Sequence, residues 1–282
     1  MRGLERNESV TRTSLVGIAP WVVLAALWGC TTTTTITSGT PTGDPPARER
    51  ATTSDQTDVD RRARVRMELA SGYYARGQLE TALDEVKLAL AAKPDLPDAY
   101  NLRGLIYQSL GDDRLAEESF RRSLQLAPGD PNTLHNYGWY LCQRNRLVEA
   151  QAQFQQAIAT PRYPGLARSL MTQGICYTRA GSWVDAERSL MRAYEIEPSN
   201  PVTAVNLADV LYRRGEYERA RFYIGRVNGV QELSNAQTLW LGVRIENKAG
   251  NTRGVRDVGR QLRNRFPNAP ETQLLERGRF DD

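Results

Sequence analysis

Apolar and small residues along this chain fall at helical spacing, in short stretches that recur. Tyr100, Gly104 and Tyr107 lie at i, i+4 and i+7, and so do Ala116, Phe120 and Ser123. That spacing sets each trio on one face of a helix. The two stretches predict antiparallel helices in which Gly104 and Ala116 permit close approach while the aromatics fill the gap. A small turn residue recurs beside such pairs at Gly77, Gly111, Asn145, Gly181, Gly215 and Gly250, at steps of 34, 34, 36, 34 and 35. Ala82, Ala116, Ala150, Ala186 and Ala220 keep the same beat five residues later. Pro94, Pro128 and Pro198 end their helices, because proline lacks the backbone N–H and disfavours helix in the residue before it.

A period near 34 with these markers is similar to the tetratricopeptide (TPR) signature. The expected fold is all-α: a TPR solenoid of about six helix-turn-helix repeats that winds as a right-handed superhelix. The expected units are 63–96, 97–130, 131–166, 167–200, 201–234 and 235–270, within a domain of 61–275 that is followed by a tail at 276–282. Departures from the beat matter as well. Arg103 stands where an apolar residue is usual, so it must snorkel or find a carboxylate. The third unit has two extra residues in Thr160-Pro161-Arg162-Tyr163-Pro164, which fall at least cost in the inter-repeat loop. The fifth ends at Asn228-Gly229-Val230 without a proline, and the sixth carries Gly254 and Gly259 in its second helix.

Ahead of the repeats, Arg2, Arg6 and Arg12 precede an apolar stretch from Leu15 to Trp28. It is interrupted by Pro20 and is shorter than the roughly 20 residues a spanning helix needs, so it reads as a secretory signal over 1–29. Leu27-Trp28-Gly29-Cys30 resembles the bacterial lipobox, which makes Cys30 the expected lipidation site. The alternative is an ordinary signal peptide with Cys30 incidental. In lipoproteins, Thr31 rather than Asp after the Cys favours the outer membrane, so the expected location is its periplasmic face. Residues 30–60, rich in Thr and Pro and poor in large apolar residues, predict a disordered tether. At about 30 residues it would span roughly 30 Å.

Composition removes several classes of function. A net charge of +4 spread over a solenoid is weak evidence for nucleic acid, which usually demands a concentrated basic face, so no nucleic-acid partner is expected. His135 is the only histidine. There is no phosphate-binding glycine loop, paired-Cys zinc motif or nucleophile elbow. The repeats fill the folded length and leave no room for an enzymatic domain. No catalytic residue, metal, cofactor or small-molecule substrate is expected.

Cys142 and Cys176 are the remaining thiols if Cys30 is lipidated. They occupy near-equivalent positions on the first helices of adjacent units, in an oxidising compartment. Two readings stand: a disulfide between them, or two buried free thiols acting as small apolar residues. First helices line the inner groove of a TPR array at about the second, fifth, ninth and twelfth positions of each unit. Over four units this gives Arg64, Met67, Ser71 and Tyr74; Asp98, Asn101, Leu105 and Gln108; Asn132, His135, Trp139 and Cys142; and Arg168, Met171, Ile175 and Thr178. The expected partner-binding set is Met67, Tyr74, Asn101, Leu105, Gln108, Asn132, His135 and Trp139, with Trp139 as the large anchor. Each of these could instead pack against its neighbour. Arg253, Arg256, Arg260 and Arg263 form a stripe that reads either as the solvated face of a capping helix or as a contact for anionic lipid.

In the third unit, Asn136-Tyr137-Gly138-Trp139-Tyr140-Leu141-Cys142, then Glu149-Ala150, Phe154, Ala157 and Pro161-Arg162-Tyr163-Pro164, the chain resembles the type IV pilus biogenesis and stability lipoproteins PilF and PilW. The leader, tether, six repeats and Cys176 agree with that resemblance. It implies a pilotin, a non-enzymatic lipid-anchored adaptor that binds the type IV pilus secretin and promotes its outer-membrane localisation and multimerisation. A general periplasmic TPR scaffold for another envelope-assembly complex is the alternative.

Overall fold

The computed structural model describes residues 53–280, with side chains from residue 58 onward. Those residues form thirteen α-helices and no strand. Six antiparallel pairs follow one another: α1 (Thr53–Ala75) with α2 (Leu79–Ala92), α3 (Pro97–Leu110) with α4 (Asp113–Leu126), and α5 (Pro131–Gln143) with α6 (Leu147–Ala159). Then come α7 (Leu166–Arg179) with α8 (Trp183–Ile196), α9 (Pro201–Arg213) with α10 (Tyr217–Asn228), and α11 (Ala236–Lys248) with α12 (Thr252–Arg265). A short α13 (Pro270–Glu276) closes the array against α11 and α12. Each first helix also meets the first helix of the next unit.

The periodic turn residues have one physical job. Gly77, Gly111, Gly181, Gly215 and Gly250 take φ between 71° and 81°, and Asn145 takes 60°. Each ends a first helix in the left-handed conformation that glycine and asparagine adopt at low cost. In all six turns the next N–H bonds the carbonyl five residues back, at 2.9–3.0 Å, for example Asp112 to Tyr107 and Arg146 to Leu141. Pro97, Pro131 and Pro201 open their helices, where the missing N–H has no intrahelical partner to lose. Asp130 and Asn200 cap two of these starts by accepting from Thr133 N and Thr203 N.

Within a pair, a small residue on the first helix meets a large one on the second. A Cβ on Gly104 would lie 2.7 Å from the Phe120 ring, and one on Gly174 would lie 2.6 Å from Leu190. Phe120, Phe154 and Leu190 are fully buried. Arg103 resolves its unusual position by three contacts: Nε donates to Ser119 Oγ at 2.9 Å, the guanidinium lies over the Tyr100 ring, and Glu118 stands at 4.0 Å.

Two boundaries differ from the sequence expectation. The tether was expected to reach residue 60, but α1 already begins at Thr53. No Gly or Pro interrupts the chain between Pro46 and Gly72, so nothing stops the helix from extending N-terminally. Asp60 on that extension pairs with Lys93 at 2.9 Å. α13, at the end of the expected domain, buries Thr272 and Leu275. The expected tail at 276–282 is also partly built in: the Phe280 ring stacks on Trp240 at 6.0 Å, and Arg244 Nε donates to Phe280 O. The secretory signal, Cys30 and the tether up to residue 52 lie outside the described residues. No helix among the described residues is long and apolar enough to cross a membrane.

Candidate functional site

First helices from successive units line an open hollow of about 950 Å³. Its floor is apolar, with Met67 of α1 and Leu102 and Leu105 of α3. Around it stand Asn101 and Asn136, joined by an amide hydrogen bond of 3.0 Å between α3 and α5, and the exposed Asn132. Arg64, Glu68, Asp98 and Arg168 add charges of both signs. Apolar anchors within reach of amides and mixed charges suit a peptide or amphipathic helix, whose backbone and side chains need both kinds of contact. Among the described residues, no group of three or more His, Cys, Asp or Glu could hold a metal ion.

The expected groove residues divide into two sets. Met67, Asn101, Leu105 and Asn132 line this hollow. Tyr74 is half-buried against the cluster around Ala70, Leu83 and Ile106. Gln108 Nε2 donates to Gln143 Oε1 at 2.7 Å, a second amide tie between α3 and α5. Trp139 is half-buried against the cluster of Phe120, Tyr140 and Phe154, and Arg179 lies over its ring at 5.1 Å.

His135 is a correction to the expected groove set. It is 7% exposed, its ring meets Phe154 edge-on, and its Nδ1 lies 2.9 Å from Ser169 Oγ. Burial, followed by the Arg168 charge, lowers its pKa from 6.5 to about 4. The two-residue slip after the third unit explains why. Arg162 turns the loop through φ 57°, so that Tyr163 buries beside Leu134 with its hydroxyl 3.4 Å from Ser169 Oγ. The imidazole is thereby closed into a small polar network instead of facing a ligand.

Cys142 and Cys176 are joined in the structure, with a Cα–Cα separation of 5.9 Å and a sequence separation of 34. The bridge ties α5 to α7, as the His135–Ser169 contact does about two turns nearer the N-terminal ends of the same helices. Units two to four are thus linked along their first helices by the two amide pairs, the His–Ser contact and the bridge. On the second-helix side, Glu117 links α4 to the next unit by accepting from Tyr137 Oη and Arg146. Burial raises its pKa, but the hydrogen bonds from Arg146 and Tyr137 outweigh this and hold it below the usual carboxylate range.

Comparison with known proteins places this architecture. Tetratricopeptide-repeat family models match residues 95–162 and 201–221, and a TPR-repeat model matches residues 71–111. The crystal structure of PilW, a widely conserved type IV pilus biogenesis factor, is 31% identical, with a TM-score of 0.69 over 76% of this chain and 97% of that one. The chain belongs to the PilF/PilW family. The type IV pilus assembly protein PilF of Pseudomonas aeruginosa is 27% identical over 74% of this chain and 83% of its own length. The solved structure of P. aeruginosa PilF aligns with a TM-score of 0.70 at 26% identity, over 78% of this chain and 99% of that one. The protein is therefore a TPR protein of type IV pilus biogenesis.

One feature of this PilF/PilW family member escaped the sequence reading. A second hollow of about 500 Å³ lies between α9 and α11, lined by Val202, Val205 and Asp209 from α9 and by Trp240, Leu241 and Arg244 from α11. The signal was present, because Val202, Val205 and Asp209 are the second, fifth and ninth residues of the fifth unit. In the sixth unit the register moves by one, since α11 starts at Ala236 after the Asn235 cap. The same rule then selects Gln237, Trp240 and Arg244, all of which line the hollow.

Proposed function

We propose that this protein is a pilotin: a non-enzymatic adaptor, lipid-anchored through Cys30 at the periplasmic face of the outer membrane, that binds the type IV pilus secretin subunit. The hollow around Met67, Asn101, Leu105 and Asn132 receives the client, and capture promotes the secretin's localisation and multimerisation. Membership of the PilF/PilW family carries this reading, and the mixed apolar and amide lining of the hollow supports a protein client. The leader supplies the anchor and the Thr-rich segment the reach, so the repeats can meet a client while tethered.

The experiment is a gene deletion complemented by the wild-type chain or by Cys30→Ser, with heat-resistant secretin multimers and surface pili as readouts. Loss of multimers on deletion, rescue by wild type, and misplaced or fewer multimers with Cys30→Ser are expected. Undiminished multimers and normal pili in the deletion strain would refute the proposal.

A further inference from the structure

The second hollow carries features that packing alone does not account for. Val202 is 51% exposed and Leu233 41% exposed, and both line it. Leu233 belongs to the loop that joins the fifth and sixth units, where the expected closing proline is missing. That loop is held firmly. Arg265 of α12 donates to Ser234 Oγ at 2.5 Å, to Gln231 O at 2.8 Å and to Ser234 O at 3.2 Å. On the other side Asn235 and Thr238 form a reciprocal capping box, and Asn228 Nδ2 donates to Thr238 O. A loop fixed this way presents Leu233, 41% exposed, beside the apolar residues Val202, Val205 and Trp240 of the hollow.

The charges at the mouth are unequal in availability. Arg244 is committed to Phe280 O and stacked over Tyr212, and Asp209 is paired with Arg213 at 2.8 Å. Glu271, part-exposed in the first turn of α13, remains as the carboxylate offered at the rim. The exposed amide of Gln237 can pair with a peptide backbone.

We propose that this hollow is a second peptide-docking site, for a short segment with two or three aliphatic side chains beside a lysine or arginine. The aliphatic groups meet Val202, Val205, Leu233 and Trp240, and the basic residue meets Glu271. A second copy of the chain fits less well, since a stable dimer buries about 800 Å² per partner and this hollow accepts only a few side chains. The site is separate from the hollow of the first units and does not depend on the identity of the client there.

The test pans a random dodecapeptide phage library on the full mature chain and measures the enriched sequences as labelled synthetic peptides by fluorescence anisotropy. Enriched peptides should carry spaced aliphatic residues and a basic residue. Val202→Asp and Leu233→Ser should each weaken them about tenfold or more, while Leu105→Asp in the first hollow leaves them unchanged. Glu271→Lys should weaken a peptide with its basic residue but not the same peptide with alanine there. Thermal midpoints establish that each variant is folded, and Leu233→Ser serves if Val202→Asp is not. Absence of enrichment, or peptides that bind both variants as tightly as wild type, would overturn the proposal. A concentration-dependent dimer abolished by Val202→Asp would overturn it in favour of self-association.

Discussion

Reduction of the Cys142–Cys176 bridge is a perturbation that leaves every atom of the side chains in place except the bond. The two sulfurs lie in a buried cluster with Phe120, Tyr140 and Phe154, so the reduced thiols remain packed as small apolar groups. The effect then falls mainly on the unfolded chain, which regains the freedom of a loop of 34 residues. In the chain-entropy model that freedom is worth about 3.8 kcal/mol at 25 °C. For a domain of this size each kcal/mol moves the midpoint by about 2–4 °C, so the reduced protein should melt about 8–15 °C lower. Because each repeat packs only on its neighbours, the loss should concentrate in units three and four. Amide exchange should quicken in α5 to α8 more than in α1 or α12. Thermal unfolding by circular dichroism, with and without a phosphine reductant, measures the first effect, and exchange mass spectrometry the second. Equal midpoints in the two conditions, or two freely alkylated thiols in the unreduced, denatured chain, would refute the reasoning.

Three further outcomes follow from the packing and the buried imidazole. Gly104→Ala sets a methyl 2.7 Å from the Phe120 ring and should cost about 1–3 kcal/mol in urea denaturation. His135, with a folded pKa of about 4 against 6.5, binds fewer protons folded than unfolded between those values. Its contribution is therefore complete above pH 6.5 and is lost as pH falls toward 4. Between pH 7.5 and 4.5 the wild type should lose about 2–3 kcal/mol more than His135→Asn. Arg265→Ala removes three hydrogen bonds from the loop before α11 and should speed amide exchange at residues 230–235 while leaving α5 unchanged.

The repeat order was legible because its marker is a backbone requirement. A left-handed helix end admits Gly or Asn, so the turn residues and the step between them appear directly in the sequence. The small-to-large pairing of Gly104 with Phe120 was legible for a similar reason, since both faces follow helical spacing. What escaped the reading depends on contacts distant in sequence. Nothing local to His135 shows that a slipped loop will place Tyr163 beside Ser169 and close the imidazole into the core. Likewise, nothing in Gln231-Glu232-Leu233-Ser234 shows that Arg265 will hold that loop open. The first hollow was half legible: positional counting found Met67, Asn101, Leu105 and Asn132, but it could not tell a groove position from one closed into the core, as at His135. α13 had a local signal in Pro270 followed by Glu271, a helix start of the ordinary kind.

The central claim is that the hollow of the first units receives the secretin subunit. Its most direct test places a photoreactive amino acid at Met67 or at Leu105 of the full-length protein and irradiates intact cells. A crosslinked species that contains the secretin is expected from both positions, and none from Val148, an exposed residue on α6. Crosslinks from Met67 and Leu105 to a different envelope protein, with secretin absent, would contradict it.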